Sequence, residues 1–165
     1  MSAEPVPVRL RPPAHRVARA ALGYWAVRSA LFWGLVAAGS VVARVATGSG
    51  WALVGLAGAV LLGLVGSLVV PRWRYAVHRW ETTPDAVYTQ SGWLSIERRL
   101  APTSRIQTVD SSQGPLERLF GLSNVSVSTA SAAGELTIEG LDAPTAERLL
   151  AELTTYAQAA PDDAT

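Results

Sequence analysis

Cysteine and lysine are absent from this chain of 165 residues, and histidine occurs only twice. Without cysteine, the protein has no disulfide, no thiolate metal site and no cysteine nucleophile. The two histidines, His15 and His78, are too few for most histidine-based metal sites. The sequence also lacks a P-loop, a G-x-G-x-x-G motif after a strand, and a G-x-S-x-G elbow. We therefore predict no catalytic, cofactor-binding or metal site, and we expect that the protein is not an enzyme.

Charge is divided unevenly along the chain. Residues 1–80 hold nine arginines and one acid, a net charge of +8, whereas residues 81–165 hold five arginines and twelve acids, a net charge of −7. An acidic half repels phosphate backbones. We therefore predict no nucleic-acid partner. At 165 residues, the chain has room for a membrane segment plus one small domain.

Two charge-free apolar runs, Ser29–Ala43 and Trp51–Val70, lie on either side of a short polar turn. A helix needs about 20 apolar residues to cross the hydrocarbon core, at roughly 1.5 Å per residue. The second run is long enough, and the first becomes so if it starts a few residues earlier and its flanking arginines reach the interfaces. We predict a transmembrane hairpin over residues 21–70, with helices at about 24–46 and 51–70. A hairpin buried in a soluble core is the alternative, although a small domain cannot easily bury two nearly all-apolar helices.

The arginines indicate how this hairpin is oriented. They are Arg9, Arg11, Arg16, Arg19 and Arg28 before the first run, and Arg72, Arg74 and Arg79 after the second. The connecting turn offers only Arg44. By the positive-inside rule, this distribution predicts a multi-pass protein of the plasma (cytoplasmic) membrane with both termini in the cytoplasm. Residues 1–20 are then a cytoplasmic lead.

Small residues recur at four-residue spacing along both predicted helices. The candidate helix-packing residues are Ala30, Gly34 and Ala38 in the first helix and Gly55, Ala59 and Gly63 in the second. Such stripes let membrane helices approach closely, which would leave Phe32 and Trp33 facing lipid or a partner. A chain rich in alanine and glycine also produces such stripes by chance, and the sequence leaves both interpretations open.

Beyond Val70 the apolar period changes to two, and no flexible glycine–serine linker intervenes. The predicted strands are Tyr75–Thr82, Ala86–Gln90, Trp93–Leu100, Ile106–Ser111, Asn124–Thr129 and Glu135–Glu139. Closely spaced strands with hairpin-length turns indicate a small antiparallel sheet or barrel. We place it in a cytoplasmic domain of residues 71–157.

Two helical segments accompany these strands. The stretch Pro115–Phe120 predicts about one helical turn, ended by Gly121. The final helix has Asp142 as its N-cap and Pro144 in its first turn. Its apolar face, which we expect to pack on the sheet, consists of Ala146, Leu149, Leu150 and Leu153. Residues 158–165 are expected to form a disordered acidic tail.

Several stretches carry a family likeness, of which Arg105–Leu122 is the most specific. The others are Leu10–Pro13, Gly23–Trp25, Val87–Tyr88, Gly92–Leu94, Ala101–Val109, Val125–Ala130 and Ile138–Leu141. In these stretches the chain resembles the bacterial YdbS-like membrane proteins with a pleckstrin-homology (PH)-like domain. One departure is Ala101, where the family usually has isoleucine or leucine.

The resemblance implies a two-helix anchor that carries a cytoplasmic PH-like barrel capped by a helix. It also implies a complex, because members often occur beside a larger related protein with repeated copies of the domain. Within the most specific stretch, Gly114–Leu116 and Phe120–Leu122 are interpreted as structural. They would shape a turn and fill the barrel with Leu119 and Phe120.

Two functional hypotheses follow. The first is a membrane-anchored, non-catalytic interaction module at the inner membrane face, which assembles with itself or with a related PH-domain membrane protein. The alternative is a sensor of anionic lipid headgroups at the inner leaflet, by analogy of fold. The candidate lipid or partner surface comprises Arg72, Arg74, Arg98, Arg99 and Arg105. A transporter subunit ranks last, because neither apolar run contains a charge.

Overall fold

The computed structural model describes residues 11–92, 95–129 and 134–159. The elements in chain order are β1 (His15–Arg16), α1 (Ala20–Thr47), α2 (Trp51–Leu68), α3 (Val70–Val77), β2 (Arg79–Thr82), β3 (Ala86–Gly92), β4 (Ile96–Pro102), a 3-10 turn (Thr103–Arg105), β5 (Ile106–Ser112), α4 (Pro115–Leu119), β6 (Leu122–Thr129), β7 (Glu135–Asp142) and α5 (Ala143–Ala159). Parts of three predictions lie outside the described residues. They are residues 1–10 of the lead, Trp93 and Leu94 of the third strand, and residues 160–165 of the tail.

Helices α1 and α2 form the expected hairpin. Gly48 follows α1 in the left-handed conformation, with φ of 66°, and its amide donates to the Arg44 carbonyl at 3.0 Å. Glycine adopts this conformation without steric cost, so the chain can reverse here. Two helical segments, Ala20–Thr47 and Trp51–Val77, are long and apolar enough to cross a membrane. Both extend beyond the predicted helix ends.

The second helix continues past Pro71 as α3. Pro71 lies in the first turn of α3, where a missing amide is tolerated. The helical ladder resumes at once, since the Trp73 amide donates to the Val69 carbonyl at 3.1 Å. The prediction of a strand over Tyr75–Thr82 is therefore wrong for its first part. Helix α3 reaches Val77, and only the remainder of the stretch pairs as β2.

One side of α2 lacks bulky side chains where it meets α1. A Cβ atom added at Gly63 would lie 3.0 Å from the Trp33 Cβ atom, and one added at Gly66 would lie 2.4 Å from the Ser29 hydroxyl oxygen. Ala59, on the same side of α2, is 3% exposed. Glycine and alanine thus allow close helix approach at this seam.

The remaining candidate packing residues divide between this seam and the hairpin surface. Gly55 lies on the seam, where an added Cβ atom would be 3.2 Å from the Ser40 hydroxyl oxygen. The stripe on α1, in contrast, is exposed, and it consists of Ala30, Gly34 and Ala38. Nothing lies within 4 Å of a Cβ atom added at Gly34. The two stripes do not pack against each other, because the small residues of α2 accommodate larger side chains of α1. Trp33 is among these larger side chains and does not face outward as expected, whereas Phe32 is 60% exposed.

The strands form two antiparallel sheets, with strand orders β1-β2-β3-β4 and β5-β6-β7. Among the described residues they form a PH-like sandwich that does not close into a barrel. Val87 of β3 lies opposite Ala101 of β4, and both are buried in the core between the sheets and α5. The Asp142 carboxylate accepts a hydrogen bond from the Thr145 amide at 3.0 Å, which confirms the predicted N-cap of α5. Helix α5 contributes Ala146, Leu149 and Leu153 to this core.

A second core joins the helical hairpin to the sheets. It comprises Val17, Ala21, Trp25 and Leu122, each no more than 5% exposed. Gly140 of β7 has φ of 73°, and an added Cβ atom would lie 3.1 Å from the Ala21 Cβ atom. The backbone of β7 therefore approaches the start of α1 so closely that little space is left for a side chain at residue 140.

This second core connects segments that the predicted domain boundaries separate. The predicted lead of residues 1–20 contains β1, in which His15 pairs with Trp80 of β2. The predicted hairpin of residues 21–70 begins inside the core that it shares with the predicted domain of residues 71–157. Residues 15–25 thus contact the part of the chain that follows Pro71, and the second helix continues through Pro71 as α3.

The stretch around α4 is held by hydrogen bonds to one carboxylate. Glu117 accepts a hydrogen bond from the Gly114 amide at 2.7 Å and another from the Asn124 side chain at 2.8 Å. Phe120 packs against the second core, close to Gly23 of α1. Leu119, which was expected to fill the barrel, is instead 82% exposed. The stretch shapes a turn and contributes only one of the two apolar side chains, that of Phe120, to the second core.

Substitution of Gly140 tests the close approach at the joint. Gly140→Ala is expected to destabilise the protein by about 1 kcal/mol for the left-handed backbone and by a further 1–3 kcal/mol or so for crowding against Ala21. The matched control is Gly121→Ala, because Gly121 has φ of 64° but has open space around an added Cβ atom. Thermal unfolding of both variants in detergent, followed by tryptophan fluorescence, measures the difference. Equal destabilisation would show that the joint is not tightly packed.

Candidate functional site

A cleft of about 520 Å³ opens where α3 and strands β3, β4 and β7 meet. Its charged and titratable lining residues are Arg74, His78, Glu97, Arg99, Glu135 and Glu139. With a neutral histidine, two arginines and three glutamates give this lining a net charge of −1. The cleft is therefore polar, and it carries both signs of charge.

Arg74 connects this cleft to the hairpin. Its guanidinium group forms an ion pair with Glu139 of β7 at 2.5 Å. The same guanidinium group lies 4.6 Å from the centre of the Trp25 ring, in a cation–π arrangement. Arg74 thus contacts both α1 and the second sheet, and its side chain is 23% exposed.

His78 lies at the floor of the cleft, directly after α3. It is 7% exposed, and its ring centre lies 5.5 Å from that of Trp25. Burial lowers the pKa of His78 to about 4, and the nearby positive charge of Arg74 acts in the same direction. His78 Nδ1 has no hydrogen-bond partner among the described residues. The residue is thus a neutral imidazole at neutral pH.

The five arginines of the predicted surface are not gathered in one place. Arg74 and Arg99 line the cleft. Arg99 donates to the Glu135 carbonyl and to the Glu97 carboxylate, both at 3.2 Å. The three other predicted arginines lie outside the cleft. Arg98 Nε donates a hydrogen bond to the Gln90 side-chain oxygen at 3.1 Å. Arg72 donates to the Leu68 carbonyl, and Arg105 is exposed on the 3-10 turn.

A second cavity, of about 440 Å³, lies on the hairpin side of Arg74. We call it the hairpin groove, and it is lined by Trp25, Arg28, Ser29, Phe32, Gly66, Val70 and Arg74. The groove is mostly apolar, in contrast to the cleft. Among the described residues, Arg74 is the only charged one that lines both cavities.

The two cavities differ in the ligands that their lining side chains suit. Among the described residues, no group of three histidine, cysteine or acidic side chains could hold a metal ion. In the cleft, a small anion would meet three glutamates and two arginines, so repulsion exceeds attraction. The cleft suits a polar segment that offers groups of both signs. The hairpin groove suits a molecule that is apolar over most of its surface.

The sequence contained part of the signal for the hairpin groove. Trp25, Arg28, Ser29 and Phe32 follow the spacing i, i+3, i+4 and i+7, which places them on one face of a helix. No such spacing brings Glu139 to Arg74, because 65 residues separate them. That ion pair follows only from the packing of β7 beside α3.

Comparison with known proteins agrees with this architecture. The model of a family described as the bacterial PH domain matches residues 20–157. The chain belongs to the bacterial PH domain family. The matched region includes both long helices as well as the sheets, which fits the core that they share. No solved structure matches the chain at comparable significance.

One curated relative adds the membrane character. The "UPF0699 transmembrane protein YdbS" of Bacillus subtilis is 36% identical over 111 residues, which cover 66% of this chain and 69% of the relative. Together with two helices long and apolar enough to cross a membrane, this relative identifies a membrane protein with a PH-like domain. The resemblance inferred from the sequence motifs is thereby confirmed.

The lowered pKa of His78 predicts a pH-dependent stability. Between pH 6.5 and pH 4 the unfolded chain binds a proton that the folded protein excludes, so the free energy of unfolding decreases as the pH falls through this window. The full effect is about 3 kcal/mol at most. Chemical unfolding across this pH range should show a shallower slope for His78→Gln than for the unsubstituted protein. Equal slopes would mean that the pKa of His78 is the same in the folded and the unfolded protein.

Proposed function

We propose that the protein is a non-catalytic, membrane-anchored assembly module, and that its PH domain pairs with a partner through the edge strand β4. The partner is a second copy of the chain or a related PH-domain membrane protein. The observation that supports this proposal is that β4 ends its sheet and presents large apolar side chains. Ile96 and Leu100 are 56% and 45% exposed.

Strand β4 has the properties of a pairing edge. It spans seven residues, Ile96–Pro102, and pairs with β3 on one side only. An edge strand offers unpaired backbone groups that a further strand can satisfy. The first five residues of β4 are all exposed, so no described element covers them. Charges at Glu97, Arg98 and Arg99 restrict this edge to partners with complementary charges.

The sequence of β4 is compatible with pairing to itself. In an antiparallel pair centred on Arg98, Glu97 of one copy lies opposite Arg99 of the other, and Ile96 lies opposite Leu100. This register gives two ion pairs and two apolar pairs, each stabilising by about 0.2–1 kcal/mol. Arg98 of one chain would lie opposite Arg98 of the other, and the repulsion between these two positive charges opposes pairing. A related partner with an acidic residue at that position would remove this repulsion.

Membrane anchoring sets the geometry of such an assembly. We propose that both long helices cross the plasma membrane, with the termini and the PH domain in the cytoplasm, because arginines flank the hairpin at its open end. The second core fastens the domain to both helices, so β4 is held at a fixed height above the bilayer. Confinement to one plane raises the effective concentration of partner edges.

The alternative, a headgroup sensor that uses Arg98 and Arg99, has less support. The Arg98 side chain donates a hydrogen bond to Gln90. Arg99 donates hydrogen bonds to the Glu97 carboxylate and to the Glu135 carbonyl. An anionic headgroup would have to replace these contacts beside an acidic cleft. Pairing of β4 in the symmetric register replaces the Arg99–Glu97 contact within one chain by an equivalent ion pair between two copies.

Cross-linking through an introduced cysteine tests self-pairing of β4. The chain has no cysteine of its own, so Arg98→Cys supplies the only thiol. In the symmetric register, residue 98 faces its own copy at a Cβ separation of about 4.5–5.5 Å, close to disulfide range. Oxidation in membranes should therefore give a covalent dimer. The control Glu147→Cys, exposed on α5, should stay monomeric.

A second variant tests pairing with a related protein. Ile96→Asp combined with Leu100→Asp changes two exposed side chains, so the fold should be retained and the partner lost. Cross-linking in native membranes, read by mass spectrometry, identifies PH-domain proteins that are captured only when β4 is intact. If Arg98→Cys gives no dimer and the double variant captures the same proteins as the unsubstituted chain, the β4 proposal is wrong.

The proposed topology is tested with a membrane-impermeant thiol reagent on intact cells. Ser49→Cys in the connecting turn should be labelled from outside, whereas Glu147→Cys should be labelled only after the cells are permeabilised. Labelling of both positions in intact cells would contradict cytoplasmic termini. Thermal unfolding of each variant confirms that the fold is retained.

A further inference from the structure

The hairpin groove combines an apolar floor with two guanidinium groups. Trp25 and Phe32 of α1 supply aromatic surface, and Gly66 leaves space on the facing helix. Arg28 and Arg74 stand at one end of this surface. None of the described residues that line the groove is acidic. The groove therefore has an apolar part and a cationic part, as an amphipathic ligand requires.

The positive charge in the groove is only partly balanced. Arg74 is paired with Glu139, which lines the cleft on the other side. Arg28 forms no ion pair with any described residue, and its contacts are with the hydroxyl group and ring of Tyr24, at 3.4 and 5.5 Å. Both guanidinium groups line the same groove, so an anion held there would be attracted by two positive charges.

The groove also lies at the depth expected of lipid phosphates. Arg28 directly precedes the apolar run Ser29–Ala43, and Arg74 follows the run Trp51–Val70 by four residues. Both arginines thus mark the same end of the hairpin, where the hydrocarbon region gives way to headgroups. Phe32 lies one helical turn from Arg28 towards the hydrocarbon, and it is 60% exposed.

We propose that the hairpin groove binds one anionic phospholipid. Its phosphate lies between the guanidinium groups of Arg28 and Arg74, and one acyl chain lies along Phe32 and Gly66. Arginine suits this role because its planar donor array matches phosphate oxygens. The proposal depends on the bilayer placement under the proposed function but not on pairing through β4. A soluble phosphate is not the expected occupant, because it would leave the aromatic floor of the groove exposed to water.

Native mass spectrometry of the full chain in detergent tests this site. Phosphatidylglycerol and phosphatidylcholine with the same acyl chains are titrated separately, and the tightly bound lipids are counted. We expect one phosphatidylglycerol to bind more tightly than phosphatidylcholine. Arg28→Gln should weaken phosphatidylglycerol binding about fivefold, since a basic residue near an anionic lipid contributes on the order of 1 kcal/mol. Arg44→Gln, at the other end of α1, is the matched control and should leave binding unchanged.

Arg28 is the informative position because its loss disturbs little else. Arg74→Gln would also break the ion pair with Glu139, so it is a secondary variant. Phe32→Ala removes an exposed side chain and should weaken phosphatidylglycerol binding without changing the preference over phosphatidylcholine. Unchanged melting temperatures of Arg28→Gln and Phe32→Ala would establish that the lost binding is not lost folding.

Three outcomes would overturn the proposal. Equal binding of the two lipids would show an ordinary lipid shell and no specific site. Arg28→Gln with unchanged binding would show that the phosphate does not lie at this groove. Displacement of phosphatidylglycerol by millimolar glycerol phosphate would show a soluble phosphate site. The β4 double variant separates this inference from the proposed function, because it should lose assembly and keep its bound phosphatidylglycerol.

Discussion

The packing of the first turns of α1 against the β-domain is the contact on which the rest of the structure depends. Ala21 and Trp25 reach the backbone of β7 at Gly140, where an added Cβ atom would crowd Ala21. This contact sets α1 beside α3 at the surface of the sheets. Both cavities exist because of that arrangement, since the cleft opens below α3 and the hairpin groove opens between the helices. A flexible tether would have created neither cavity.

Arg74 shows how the membrane part and the PH domain are coupled chemically. One guanidinium group pairs with Glu139 of β7, stacks on Trp25 of α1 and lines both cavities. Beside it, the buried His78 stays neutral at neutral pH, so it adds no second positive charge next to Arg74. A ligand in the groove would act on the same arginine that closes the acidic cleft. One side chain therefore contacts α1, the second sheet and both cavities.

The proposed partner surface and the proposed lipid site lie on different elements. Assembly uses the outer strand β4, where Ile96 and Leu100 are exposed, and lipid binding uses the groove between the helices. The second core joins these elements and fixes their relative position. This arrangement suits a module that presents a pairing edge at a constant distance from the bilayer. It also explains why the family match spans helices and sheets together.

The hairpin, the strand-rich domain, the N-cap of α5 and the family could all be predicted from the sequence, because apolar period, turn residues and motifs are local signals. The prediction of a strand from Tyr75 was wrong, since a proline in the first turn of a helix resembles a helix break in the sequence. Tertiary packing alone shows that Val17 and Trp25 share a core with Leu122, that Glu139 meets Arg74, and which small residues face the other helix. The physical reason is that these contacts join segments distant in the chain, and their partners are chosen by burial of apolar surface rather than by spacing.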